Sequence, residues 1–159
     1  MVTLTDRRQM IDQIRHLPAQ ARAAVKGLND DQLNTAYGEG KWTVRQVIHH
    51  LADSHMNAFV RMKLIMTENH PTLKPYNQDD WARTREANAY PVESSLNILS
   101  GLHERWANLL ETVPESGWNR TAYHPESGEV SLQRILEIYA AHGEKHVKSI
   151  TDLRARMGW

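Results

Sequence analysis

The chain has 159 residues, with 19 Lys plus Arg against 19 Asp plus Glu, nine histidines and no cysteine. That length suits one domain, read here over residues 1–159, with a core that needs no covalent staple. The absence of cysteine excludes a disulfide framework, a thiolate zinc site and a cysteine nucleophile, and the balanced charge offers no field to gather nucleic acid.

Met1 to Asp6 holds no apolar leader core, and no stretch approaches the roughly 18 apolar residues of a membrane span. A cytoplasmic protein with no membrane partner is expected. Met10, Ile14, Leu17, Ala21, Val25 and Leu28 recur at three- and four-residue spacing, one buried stripe of a helix. Pro18 lies inside that stripe, removes a backbone donor and crowds the preceding turn, so a kink or short break after His16 is expected. Asn29 reads as the cap of a short turn.

Thr43 and Gln46 form a capping-box pattern, with Trp42 and Val47 placed as a hydrophobic staple. The helix they open carries Val44, Val47, Ile48, Leu51, Ala58, Met62, Ile65 and Met66 on its apolar face and runs to about Met66. Glu68 to Tyr90, with Pro71 and Pro75, reads as a long connection with one turn near Trp81. Leu96, Leu99, Leu102, Trp106, Leu109, Leu110 and Val113 mark a third helix that stops before Pro114. Trp118 to Val130 reads as a loop. Ser131 caps a last helix with Leu132, Ile135, Leu136, Tyr139, Ile150, Leu153 and Met157 inward, ending before Gly158. Four main helices with no strand period predict an all-α, four-helix bundle with long inter-helix loops.

The chemistry concentrates in two histidine clusters. His142 and His146 lie ~40° apart on a helical wheel, inside the stripe of Ile135, Tyr139, Ile150 and Leu153. Their Cβ atoms are expected about 5–6 Å apart, close enough for both rings to meet one ion. Gly143, also inward, leaves room for a ring, an ion or a neighbouring helix. The competing reading is a pair of core histidines bonded to carbonyls or a tyrosine. On the early helix His55 sits mid-stripe, His50 about a third of a turn off its centre toward a helix seam, and His49 points away. Pattern alone leaves His50 and His55 both open as a third ligand; His55 suits a packed core residue and His49 a solvated or rim position.

His142-Gly143-Glu144-Lys145-His146 is not the metalloprotease H-E-x-x-H pattern, because Glu144 falls one position late and turns outward. Three nitrogens without a carboxylate leave coordination positions open, the arrangement of catalytic rather than structural zinc. Asp53, three residues after His50, is the candidate catalytic carboxylate, set against a plain surface role. Tyr123 and His124 are candidates for a pocket rim or a simple turn, and Tyr76 and Trp81 for a cover over the metal mouth or a loop anchor.

Lys41-Trp42-Thr43-Val44-Arg45-Gln46-Val47 running into His49-His50-Leu51-Ala52-Asp53-Ser54-His55, with His142 and His146 late in the chain, is similar to the DinB superfamily. More closely it resembles the YfiT-like group of metal-dependent hydrolases. Lys74-Pro75-Tyr76, Trp81, Tyr123-His124-Pro125 and Arg156-Met157-Gly158-Trp159 extend the resemblance over nearly the whole chain. The resemblance implies an antiparallel four-helix bundle, a homodimer, and one zinc or nickel ion per subunit on His50, His142 and His146, which selects His50 over His55. Glu144 and Lys145 depart from the extra histidines that the family commonly carries between the late pair. Two activities follow from the resemblance: hydrolysis of a small molecule by activated water, or addition of a low-molecular-weight thiol such as bacillithiol to an electrophile. A dimeric helical module with a purely structural ion is the non-enzyme alternative.

Overall fold

The computed structural model describes residues 3–159, so Met1 and Val2 of the stretch read above for a leader lie outside it. Four long helices carry the fold: α1 (Leu4–Val25), α3 (Val44–Thr67), α6 (Glu93–Glu111) and α7 (Leu132–Met157). Three short ones, α2 (Asp30–Leu33), α4 (Gln78–Ala82) and α5 (Arg85–Ala89), lie in the connections. The caps follow from local chemistry. Thr43 and Gln46 form both halves of a capping box at the start of α3, Asn29 and Gln32 do so at α2, and Ser131 accepts from the Arg134 amide at α7. Gly158 ends α7 at φ 74°, a left-handed position open to glycine.

Each of α1 and α3 packs against both α6 and α7, so these pairs occupy opposite corners of the bundle. Side-chain contacts fix the directions. Arg15 meets Asn108 and Glu111 while Arg22 meets Glu93 and Asn97, so α1 and α6 are antiparallel. Ser54 meets Tyr139 while His50 meets His142, so α3 and α7 are antiparallel too. Arg7 to Gln133 and Arg154 to the Ala24 carbonyl make α1 and α7 parallel. His49 to Ser95 and Trp106 to Met62 do the same for α3 and α6. Parallel neighbours cannot be joined by a tight turn, which is why the chain from Glu68 to Val92 must return along the bundle before α6 begins.

Pro18 does not interrupt α1, so the chain has no short break after His16. The proline has no N–H for the Ile14 carbonyl one turn back, but that carbonyl accepts from His103 Nδ1 at 2.5 Å instead. The Glu68–Tyr90 connection holds two short helices rather than one turn, because Asn77 and Thr84 each cap one. The segment read as a loop from Trp118 to Val130 contains a hairpin, β1 (Thr121–His124) with β2 (Gly128–Ser131), preceded by a 3₁₀ turn at Glu115–Asn119. Four-residue strands with only Ala122 buried carry no apolar alternation to find. The hairpin is tied to the α3–α4 connection by Tyr123 N–H to the Pro71 carbonyl and Leu73 N–H to the Tyr123 carbonyl.

The core divides into two apolar clusters. One holds Ile14, Ala58, Met62, Trp106 and Leu136; the other holds Leu17, Leu51, Ala52, Leu99 and Ile150. Between them, at the same level of α3, α6 and α7, lie His55, His103 and His142. A polar layer thus crosses an otherwise apolar bundle.

Candidate metal centre

The capping box at Thr43 sets the phase of α3, which turns Val44, Val47, Ile48 and Leu51 into the core and His50 into the seam with α7. On α7, His142 and His146 are one turn apart and face that seam. One ring nitrogen from each of His50, His142 and His146 lies within 4.8 Å of the other two. Ring centroids are 5.3 Å apart for His50 and His142, 4.9 Å for His50 and His146, and 4.5 Å for His142 and His146. Trp42 forms the wall on one side, 4.6 Å from the His50 ring and stacked on His146 at 6.4 Å.

Gly143 allows the α7 pair to sit where it does. A Cβ there would overlap the Leu17 side chain, with Cδ1 at 2.7 Å and Cγ at 3.0 Å. The room it leaves is filled by α1.

Burial holds the three imidazoles neutral. It pushes His50 and His142 down to about 3 and His146 to about 4, with neighbouring imidazoles and Lys145 adding smaller shifts in the same direction. Neutral rings each present a lone pair. His50 Nε2 and His142 Nε2 face each other at 3.3 Å, and among the described residues neither nitrogen of His146 has a hydrogen-bond partner. Converging nitrogens of neutral rings, two of them bonded only to each other and with no carboxylate among them, fit a divalent cation.

His142 also opens onto a cavity of about 580 Å³ whose wall includes Ser54, Arg61, Tyr76, His124 and Tyr139. Burial raises the Tyr76 phenol to about 12, which keeps it a neutral hydroxyl. Arg61 Nη2 donates to the Lys74 carbonyl at 2.6 Å, while its buried Nε has no partner.

Asp53 is half-buried, and its carboxyl is raised to about 6, by burial first and by the charge of Glu86 second. It is outside both the histidine cluster and the cavity wall. His49 is not solvated or at the rim: it is 1% exposed, donates from Nε2 to the Tyr90 carbonyl at 3.2 Å and accepts at Nδ1 from Ser95 Oγ at 2.7 Å. The segment leading into α6 covers the face of α3 that the wheel left outside. His55 is the packed core residue expected, fully buried. Glu144 is exposed and accepts from Gln13. His124 and Tyr76 reach the cavity wall, whereas Trp81 packs against Tyr76 from outside it, with ring centroids 4.5 Å apart and planes tilted by 48°. Sequence reasoning missed His103, the role of Trp42 as a wall, and Arg61. His103 is one helical step from Leu99 and Trp106 on the inward face of α6, which is the signal that was there to be found.

Comparison with known proteins places this geometry in a lineage. The signature of the DinB superfamily matches residues 13–150. A protein of Geobacillus kaustophilus named "putative metal-dependent hydrolase" is 50% identical over 95% of this chain and 85% of its own length. One of the same designation from Oceanobacillus iheyensis is 46% identical over 95% of this chain and 87% of its own. The solved structure of YfiT from Bacillus subtilis, described as "a probable metal-dependent hydrolase with an unusual four-helix bundle topology", superposes with a TM-score of 0.97. It is 38% identical, and the match covers 100% of this chain and 91% of that one. The mixed parallel and antiparallel helix directions agree with that description, and the chain belongs to the DinB superfamily as a YfiT-like member.

Proposed function

We propose that the chain is a metal-dependent hydrolase whose divalent ion, zinc or nickel and one per subunit, is held by His50, His142 and His146. The observation that carries this reading is three neutral imidazoles within 4.8 Å of one another beside a cavity of about 580 Å³. The designations of relatives aligned over most of the chain support it. When bound, the ion supplies Lewis acidity, which acidifies a water or a thiol entering the cavity and polarises the substrate. Imidazole donors suit zinc and nickel alike.

The remaining residues bind and orient. Trp42 closes one side of the cluster, leaving approach from the cavity onto which His142 opens. The hydroxyls of Ser54, Tyr76 and Tyr139 offer hydrogen bonds to a substrate, and the guanidinium of Arg61 on the cavity wall suits one that carries a carboxylate or phosphate. Asp53, outside the cavity wall, is better placed to act through its neighbours on α3 than on the substrate.

Thiol S-transfer is the second reading, favoured by the lack of a carboxylate in the cluster. A thiol is far more acidic than water and needs less help to lose its proton. Metal analysis of purified protein, followed by assay against esters, amides and electrophiles with and without added thiols, tests both readings. One equivalent of metal and chelator-sensitive hydrolysis are expected. Turnover only with a thiol would replace hydrolysis by transfer, and metal-free, fully active protein would end both.

A further inference from the structure

The polar layer that crosses the bundle contains two histidines that no ligand set requires. His103 Nδ1 lies 2.5 Å from the Ile14 carbonyl, His55 Nδ1 lies 2.9 Å from His103 Nε2, and His142 Nδ1 lies 3.1 Å from His55 Nε2. The chain starts at a carbonyl, which only accepts. That one fact sets every proton along it.

His103 Nδ1 must carry a hydrogen to face the Ile14 oxygen. In the neutral ring, Nε2 is then an acceptor, so His55 must donate from Nδ1 and accept at Nε2. His142 must in turn donate from Nδ1, and its Nε2 is left as a bare lone pair. Nε2 is the nitrogen that faces His50, at 3.3 Å. The carbonyl is available because residue 18 is a proline: any other residue there would offer it the helical N–H. His55 and His103 are both fully buried, without a carboxylate bonded to either ring.

We propose that His55 and His103 are positioning residues for the metal centre: with the Ile14 carbonyl released by Pro18, they form a polarised chain of imidazoles that locks His142 in the tautomer presenting Nε2 as a ligand. The inference rests on the reading of His142 as a ligand, and it adds what prepares that ligand. A second buried imidazole does here what a carboxylate or a backbone carbonyl does directly at other histidine ligands.

The test is long-range proton–nitrogen NMR of histidine-labelled, metal-stripped protein, paired with a metal titration. His103, His55 and His142 should all appear as Nδ1–H, Nε2-bare rings. His103→Leu should mix the tautomers of His55 and His142 and weaken zinc binding about 10- to 100-fold. His103→Gln should restore both, since its amide donates to Ile14 and its oxygen accepts from His55. His142 found as the Nε2–H tautomer in the parent overturns the proposal whether or not metal binds, and that spectrum decides even if His103→Leu fails to fold. An intact Nδ1–H pattern in a protein that takes up no stoichiometric metal overturns the ligand reading of the three-histidine cluster instead.

Discussion

Pro18 and His103 complement each other across the α1–α6 interface. The proline withholds the N–H that the Ile14 carbonyl would receive in a regular helix, and the imidazole supplies one at 2.5 Å. A residue that usually breaks helices is thereby accommodated by a side chain from a different helix.

The pair should be thermodynamically coupled. His103→Phe leaves the buried Ile14 carbonyl without a donor and His55 Nδ1–H without an acceptor, a cost of about 1–3 kcal/mol for each group. In a Pro18→Ala background the restored backbone amide at position 18 takes over the carbonyl, so the same substitution at His103 should cost about 1 kcal/mol less. Urea unfolding of the four proteins measures this, and strictly additive effects would show that the two residues act independently.

Gly143→Ala should destabilise the fold and disturb the centre together. The added methyl overlaps Leu17, which is 2% exposed and has core on every side. Overpacking costs about 1–3 kcal/mol, more than the roughly 1 kcal/mol that alanine gains over glycine in a helix. Because the residue sits between His142 and its partner His146, metal affinity should fall as well. A variant with a raised melting temperature and unchanged affinity would show that α1 and α7 have slack at this point.

Metal should stabilise the parent and not its ligand variants. A ligand at a hundredfold excess over its Kd adds about 2.7 kcal/mol to stability. Thermal unfolding with and without zinc or nickel should show that shift in the parent and in Glu144→Ala, whose side chain is exposed. The shift should vanish in His50→Ala, His142→Ala and His146→Ala; its survival in all of them would remove the centre from this site.

Acid should unfold the metal-free protein early. His103 is lowered from 6.5 to about 4 and His55 well below its ordinary value, each by burial first, and His50, His142 and His146 shift the same way. Between pH 6.5 and about 4 the unfolded chain takes up protons that these rings refuse, so stability falls as pH falls, by about 1.4 kcal/mol per pH unit for each fully buried ring. Asp53 has the opposite sign: raised to about 6, it keeps its proton longer when folded and offsets one histidine in part of the window. Urea midpoints in chelator from pH 7 to about 4.5 check this, and a flat profile would mean that the rings are charged or hydrated in the native state.

The sequence alone determined what is local or periodic. Thr43 with Gln46, Ser131 and Gly158 announced two helices almost to the residue, because a cap is a contact between groups three positions apart. The inward stripe of α7 placed His142 and His146 together for the same reason, since neighbours on one helix need no other element to meet. Tertiary structure decided whatever joins distant segments. On pattern, His50 and His55 were both open as a third ligand, with His55 better suited to a packed core position, and only the packing of α3 against α7 and α6 sets His50 beside His142 and His146 and puts His55 between His142 and His103. His49, outward on its own helix, is buried by the chain entering α6. The Ile14 carbonyl that Pro18 leaves without a helical donor is met by an imidazole from α6, a hydrogen bond between residues 14 and 103 that no reading of either helix by itself contains.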